Sequence, residues 1–354
     1  MKIFVINPGS TSTKLALYED EKQVWVGGAH HPVEDLIGFH HVNEQLEYRK
    51  KFVRRMLEKA GIPVEFDAVI ARGGLLKPTP GGVYAINEQM KYDLLHAKME
   101  HACNLGALIA DELAEECQCP AYIADPEVVD ELMSEARLTG IPEIRRISIF
   151  HALNSKAVAR RYAVSIGKHY EDLNLIVVHL GGGISIGAHR KGKVIDVNNA
   201  LNGDGPFSPE RAGTIPADQL VELCFSGKYN LRQMKKMLNG AGGLSAHLGE
   251  TDMITIAGQA DAGKEPYKQV LDAMLYTVAK EAGARYVALR GEVDAILLTG
   301  GIAHSDYCVK VLRSWVDCLG KVVLMPGEDE MGSLAYNALG ALKGELPLQV
   351  YQPE

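Results

Sequence analysis

Two stretches of this chain share one form: an apolar, β-rich run is broken by small residues and then resumed at once. The first runs over 2–7, stops at Pro8-Gly9, and passes through Ser10-Thr11-Ser12-Thr13-Lys14 into 15–18. The second runs over 175–180, stops at Gly181-Gly182-Gly183, and resumes over 184–188. Glycine costs conformational entropy on folding, so three in succession imply that the backbone must approach something closely. Small residues let amides and hydroxyls reach the oxygens of an anion, and Lys14 adds a positive charge. Either loop alone reads equally well as a hairpin turn. Two at equivalent places make a phosphate clamp the better reading.

The surrounding elements repeat in the same order. Strands over 2–7, 15–18 and 24–26 lead into a helix over 43–60. Its Leu46, Val53, Met56, Leu57 and Ala60 form one stripe, and Gly61 supplies a stop. A strand at 67–71, a helix marked by Leu105, Leu108, Ile109 and Leu113, a strand at 121–124 and a helix at 127–136 follow. The order then restarts with a helix over 152–166 and strands at 175–180, 184–188 and 194–197. Helices near 216–226, 229–239 and 267–290 come next. A strand at 294–299, a helix at 306–318, a strand at 321–325 and a helix at 330–343 close the chain. The halves share this order without detectable sequence identity. The expectation is an α/β protein with a duplicated domain, residues 1–150 and 151–329, the first rejoined by a C-terminal helix at about 330–354. A small ligand is expected in the cleft between such halves.

A third glycine turn, Leu297-Leu298-Thr299-Gly300-Gly301-Ile302-Ala303, has the form that lets an adenosine lie against backbone, and otherwise reads as an ordinary strand-to-helix turn. No G-x-x-x-x-G-K-[ST] is present, and no G-x-G-x-x-G follows the first strand, which argues against P-loop and Rossmann readings. A net charge of −8 argues against non-specific binding to nucleic acid or to an anionic membrane. The six cysteines are scattered, which suits a reducing compartment, the cytoplasm. The first apolar run is too short for a signal peptide, and no run approaches the ~20 residues of a membrane span. The adjacent pairs His30-His31 and His40-His41 are poor candidates to share a metal, because neighbours on a strand point to opposite faces, and they read as surface or interface residues.

The three loops, in this order, resemble the phosphate-1, phosphate-2 and adenosine motifs of the acetate and sugar kinase, actin and chaperone superfamily. Within it the chain resembles the acetokinase family over essentially its whole length. The specific pieces are the loop 7–14, Ala71-Arg72-Gly73-Gly74-Leu75-Leu76, Pro80-Gly81-Gly82-Val83-Tyr84, His101-Ala102-Cys103-Asn104-Leu105-Gly106, Ser148-Ile149-Phe150-His151-Ala152-Leu153-Asn154 and Val178-His179-Leu180-Gly181-Gly182-Gly183. The resemblance implies two actin-like, ribonuclease H-like domains, each a mixed five-stranded sheet with flanking helices and an active site in the interdomain cleft. It implies ATP and Mg²⁺, and transfer to a short-chain carboxylate: butyrate + ATP = butanoyl phosphate + ADP. Branched-chain, propionate and acetate phosphorylation are the alternatives. It also implies a homo-oligomer of at least two chains.

Carried over residue by residue, the resemblance places Arg72, Arg211 and His151 at the transferred group. It places Asn7, Ser10, Ser12, Lys14, His179, Gly181, Gly182, Gly183, Asp252, Gly300, Gly301 and Ile302 on the nucleotide and its phosphates. Asp125 and Glu330 fall near the metal, with Glu328 an almost equal alignment for Glu330, and His101 is a weaker match. Two positions depart from the pattern. Gly182 stands where acetate kinases carry Asn, and Ile254 stands where the family usually has an arginine.

The chemistry agrees with a carboxylate acceptor. A simple carboxylic acid, with a pKa of about 4–5, is already ionised at neutral pH and needs no general base. The remaining difficulty is the meeting of two anions and the charge on a loose transition state, which cations and preorganised donors address. Read without the resemblance, Arg72 is a surface ion-pair partner, Asp125 before Pro126 a helix N-cap, and Glu330 a first-turn glutamate favoured by the helix dipole. A reading of another class, a nucleotide-gated binding module on the same fold, leaves Arg72 and Arg211 without an evident use.

Overall fold

The structure, a computed structural model, describes residues 1–353. In the first part of the chain the strands are β1 (Lys2–Pro8), β2 (Ser12–Glu19), β3 (Lys22–His30), β4 (Ala68–Arg72), β5 (Val83–Ala85) and β6 (Ala121–Ala124). Then come β7 (Asn174–Leu180), β8 (Ile184–Arg190), β9 (Lys193–Val197), β10 (Ala295–Thr299) and β11 (Val322–Leu324), and last β12 (Leu348–Gln349). Two compact units result. One comprises Met1–Asp130 with the segment from Asp329 onward; the other is Glu131–Glu328.

In the first unit the strand order is β12-β5-β6-β4-β1-β2-β3, and in the second it is β11-β10-β7-β8-β9. The same five-strand order recurs, so β1 corresponds to β7 and β4 to β10. Each central strand pairs antiparallel with the next strand of its hairpin and parallel with a later strand, β1 with β4 and β7 with β10. A strand covered on both faces must be apolar throughout. Ile3, Phe4, Val5 and Ile6 in β1, and Leu175, Ile176 and Val177 in β7, are fully buried. The first sheet departs from the expected five strands by having seven. Residues 80–82 turn the chain back so that β5 runs antiparallel to β6, and β12 then adds to β5.

Helix Leu46–Ala60 buries Arg49, Val53 and Leu57. The final helix, Glu330–Leu342, lies against β1, β4 and β6 and so belongs to the first unit although it is last in the chain. Residues 131–150 attach to the second unit. Glu131 accepts from Lys156 Nζ at 3.0 Å and from Val194 N at 2.7 Å, and Arg146 Nη1 donates to Asp196 at 2.8 Å.

The helix expected over 127–136 does not form; only a 3-10 turn, Ser134–Arg137, occurs there. Val129 instead bridges Thr79, and Asp130 N donates to Thr79 O at 2.9 Å. The apolar residues are buried as expected, but in extended backbone whose hydrogen bonds go elsewhere. Short helices at Glu88–Leu95, Gly243–Leu248 and Met253–Asp261 were not legible from periodicity. Among the described residues no helix is long and apolar enough to cross a membrane.

Leu297, fully buried in β10, packs with Val158, Tyr162 and Val177. Leu297→Ala is expected to cost about 2–5 kcal/mol in urea unfolding. Leu348→Ala, at a half-exposed position of β12, should stay within about 0.5 kcal/mol. Equal losses at the two sites would contradict this account of the core.

Candidate active site

In the first unit the chemistry gathers at the carboxyl ends of β1 and β4. Asn7, buried near the end of β1, donates from Nδ2 to Glu330 Oε2 at 2.7 Å. Arg72 ends β4. Its Nη1 lies 3.1 Å from Glu330 Oε1, and its Nε donates to Glu127 Oε1 at 2.5 Å. Burial opposes the charge on Arg72, but Glu127 and Glu330 overcome that and raise its pKa above the ordinary arginine value. Arg72 is therefore an ion-pair partner, but one held in a protein-made acidic fork and not on a solvated surface. Glu330 opens the last helix, whose N-cap is Asp329, so that a first-turn glutamate faces Asn7 and Arg72. Glu328 does not share this position. It lies in the second unit, with Oε1 3.0 Å from His179 Nε2.

Asp125 is buried and takes a left-handed backbone conformation, φ 37°. Its Oδ1 accepts from Gly82 N at 2.8 Å, and its own N–H donates to Gly82 O at 2.9 Å. With no helix following, it is not an N-cap. It locks the Pro80-Gly81-Gly82 turn to the end of β6.

The loop 7–14 is drawn tight by Gly9 N donating to Ser12 O at 2.8 Å. Ser10 Oγ stands 3.1 Å from His101 Nε2, and burial lowers the pKa of that histidine. Ser12 and Lys14 share the face of β2 opposite the buried Thr13, and Lys14 is exposed. His31, expected at the surface, is 3% exposed: its Nε2 meets Thr13 Oγ1 at 2.8 Å, and the rings of Tyr48 and Phe52 stand edge-on to it. His30, the last residue of β3, is exposed, and His31 just beyond it is buried beneath the loop.

In the second unit, Gly181, Gly182 and Gly183 form the turn from β7 into β8, closed by Gly181 N donating to Gly183 O at 3.1 Å. Ser208 Oγ donates to Gly182 O at 2.7 Å. Arg211 donates from Nη1 to Ala200 O and lies directly over Gly183, where an added Cβ would fall 1.6 Å from Nη1. Burial lowers the pKa of Arg211 and Glu210 opposes that shift. Unlike Arg72, Arg211 has no carboxylate in ion-pair range among the described residues. His179 is wholly buried, its Nδ1 2.9 Å from Asn154 Oδ1, and the His151 ring stacks on it at 3.9 Å between centroids. His179 Nε2, although near Glu328, makes no hydrogen bond. His151 Nδ1 is 3.0 Å from Ser185 Oγ.

The third turn follows β10. Gly300 has φ +87°, and a Cβ there would fall 2.3 Å from Leu180 O, so only glycine fits against the end of β7. Gly301 and Ile302 line a cavity of about 340 Å³ together with Met253, Ile254, Ala257 and Gly258. Asp252 stands at the start of the helix that borders this cavity. Its carboxylate caps helix Met253–Asp261, accepting from Ile254 N and Thr255 N at 3.2 and 3.1 Å.

Among the described residues, no three His, Cys, Asp or Glu side chains are grouped so as to enclose a metal. Mg²⁺ ordinarily takes one or two carboxylates and completes its shell with water and phosphate oxygens. Glu330, whose oxygens each keep a second lone pair, and Glu127 Oε2, buried without a hydrogen bond, are donors of that kind. Sequence reasoning missed Glu127, Arg49 and Asn154. Glu127 and Arg49 carry no motif signal, and Asn154 stands only as the last residue of the motif 148–154; each gains its contacts from a partner distant in the chain.

The residues 137–323 match the acetokinase family. A probable butyrate kinase of Phocaeicola vulgatus is 80% identical over 100% of both chains. A probable butyrate kinase of Bacteroides thetaiotaomicron is 56% identical over 99% of this chain and 100% of its own. Butyrate kinase 1 of Clostridium acetobutylicum is 46% identical over 99% of each. The chain belongs to the acetokinase family. Among solved structures, the acetate kinase of Porphyromonas gingivalis aligns over 96% of this chain and 99% of its own, with a TM-score of 0.75 at 19% identity. A propionate kinase from Francisella tularensis aligns over 95% and 98%, with a TM-score of 0.76 at 18% identity. The fold of this acetokinase-family member is the duplicated actin-like α/β fold.

Gly183→Ala would drive the Arg211 guanidinium from its place while leaving the turn's backbone conformation accessible. Phosphoryl transfer is expected to fall about a hundredfold, the scale of losing one preorganised donor, with melting temperature nearly unchanged. Wild-type kcat in a folded Gly183→Ala protein would remove Arg211 from the site.

Proposed function

We propose that this chain transfers the γ-phosphoryl group of ATP directly and reversibly to the carboxylate of a short fatty acid, with butyrate preferred. The observation that carries the reading is Arg72, held at the end of β4 by Glu127 and by Glu330, which also anchors Asn7. The acid preferred is that named for the full-length relatives.

In this reading a carboxylate oxygen of the acid attacks the γ-phosphorus as the bond to the β,γ-bridging oxygen breaks, and ADP leaves. No proton moves from the acid, so no side chain acts as base. Arg72 orients the anionic acceptor and the transferring group. Arg211, free of any carboxylate partner among the described residues, meets charge on the equatorial oxygens, and His151, stacked on the immobile His179, donates beside it. The loops 7–14 and 181–183 hold phosphates through amides and hydroxyls. Gly301, Ile302 and the apolar cavity beside Met253 and Ile254 accept the adenosine.

Mg²⁺ would be held by Glu330 and Glu127 Oε2 with phosphate oxygens, Asp125 contributing through the turn it locks, and when bound it would supply positive charge to the polyphosphate. The same reading assigns the enzyme to the cytoplasm, where its six free cysteines remain reduced, and to a homo-oligomer.

Incubation with ATP, Mg²⁺ and hydroxylamine across acids from acetate to valerate and isobutyrate tests the proposal. Hydroxamate should form fastest with butyrate. Arg72→Ala and Arg211→Ala should each lose about 10²–10³-fold in kcat while remaining folded. ATP consumption without hydroxamate for any acid would sink the reading, and a maximum at another acid would replace its substrate.

A further inference from the structure

Arg49 is fully buried, yet every acceptor around it is neutral. Nη1 donates to Ser12 O at 3.1 Å and to Thr13 Oγ1 at 3.0 Å. Nη2 donates to Ser10 O at 3.1 Å and to Gln45 Oε1 at 3.0 Å, and Nε donates to Gln45 Oε1 at 3.1 Å. No carboxylate lies in ion-pair range of it among the described residues. His31, which shares Thr13 Oγ1 with it, offers no negative charge either. Burial, and then the charge of Arg49 itself, push its pKa down to about 4. The Tyr48 hydroxyl lies 3.3 Å from His31 Nδ1 and donates to Asp35 Oδ2 at 3.0 Å.

A buried guanidinium without a counter-ion is costly, and an apolar side chain would fill this space more cheaply. The fold alone does not call for the charge. What the charge accomplishes is visible in the loop above it. The carbonyls of Ser10 and Ser12 point inward to Arg49, and that of Thr11 accepts from His31 N at 2.7 Å. Three successive carbonyls are thereby tied to donors on the inner side. The amides of Ser10 and Thr11 have no protein acceptor among the described residues. A loop with its carbonyls pinned behind it, unspent amides and a cation directly beneath is an anion receptor.

We propose that Arg49 is a positioning residue for phosphate: it fixes the loop 7–14 with its donors outward and holds behind them a charge that a bound phosphoryl group neutralises. The inference rests on the reading of that loop as phosphate-binding. It names the ligand chemistry as a phosphoryl group and makes no claim on the adenosine.

The test compares full-length wild type, Arg49→Met and Arg49→Lys by thermal shift and calorimetry with inorganic phosphate, ADP and adenosine as probes. For wild type, phosphate and ADP should raise the melting temperature. For Arg49→Met, dissociation constants for phosphate and ADP should rise about tenfold or more, the scale of one lost charge-assisted interaction, while adenosine binds as before. Arg49→Lys, which keeps the charge but cannot span both carbonyls, should fall between them. Its KM for acyl phosphate should rise more than its kcat falls. A folded Arg49→Met protein with wild-type affinity for phosphate and ADP overturns the proposal. Should Arg49→Met fail to fold, wild-type phosphate affinity in Arg49→Lys overturns the pinning of the loop. Adenosine binding lost in parallel with phosphate binding would reduce Arg49 to a merely structural role. If phosphate and ADP leave the wild-type melting temperature unmoved, the loop reading itself has failed, an outcome separate from these.

Discussion

The carboxylate of Glu330 is the point on which the first unit depends. One oxygen accepts from Asn7 at the end of β1, and the other faces Arg72 at the end of β4. Two neighbouring parallel strands and the last helix of the chain are thus joined by a single side chain. Arg72 would be an unpaired, largely buried cation without its acids, and Glu330 an unpaired anion without Arg72 and Asn7. Breaking a buried pair by removing one member is far costlier than never having made it. The pairing also aims the guanidinium, since Glu127 and Glu330 engage different nitrogens and leave it little rotational freedom.

The second unit meets a related demand by other means. Its turn stands on the equivalent central hairpin, but its cation, Arg211, is steadied by a backbone carbonyl and by close approach to Gly183. Its imidazoles are stacked and anchored through Asn154 and Ser185. The duplicated framework is therefore used asymmetrically. Where β4 ends in Arg72, β10 ends in Thr299 and the glycine turn that borders an apolar cavity. One central-strand geometry supports an acidic, charge-paired cluster in one unit and an uncompensated arginine in the other.

Much of this was legible from residues in order. The repeated succession of strands, the glycine turns after β1, β7 and β10, and most core helices follow from local periodicity and from residues that tolerate close approach. Arg72, Arg211, His151, His179 and Glu330 were singled out by motif. Legibility failed where local pattern and long-range pairing disagree. Residues 127–136 carry helix-compatible spacing, but Val129 and Asp130 spend their backbone groups on Thr79. His31 and Arg49 look like solvated side chains, and only burial beneath the loop gives them a role. The helix-capping role of Asp252 was likewise visible only in the folded chain.

By itself, then, the sequence determined the α/β class, the duplication, the family and the positions of the small-residue turns after β1, β7 and β10. These depend on short-range properties, namely side-chain period, glycine's conformational range and motif spacing. The tertiary structure alone decided that the first sheet has seven strands, that Glu330 and not Glu328 faces Arg72, that Glu127 is its second partner, and that an unmatched cation lies under the first loop. Each of these joins residues far apart in the chain. Such partners are chosen by burial and charge in three dimensions, and no local pattern encodes them.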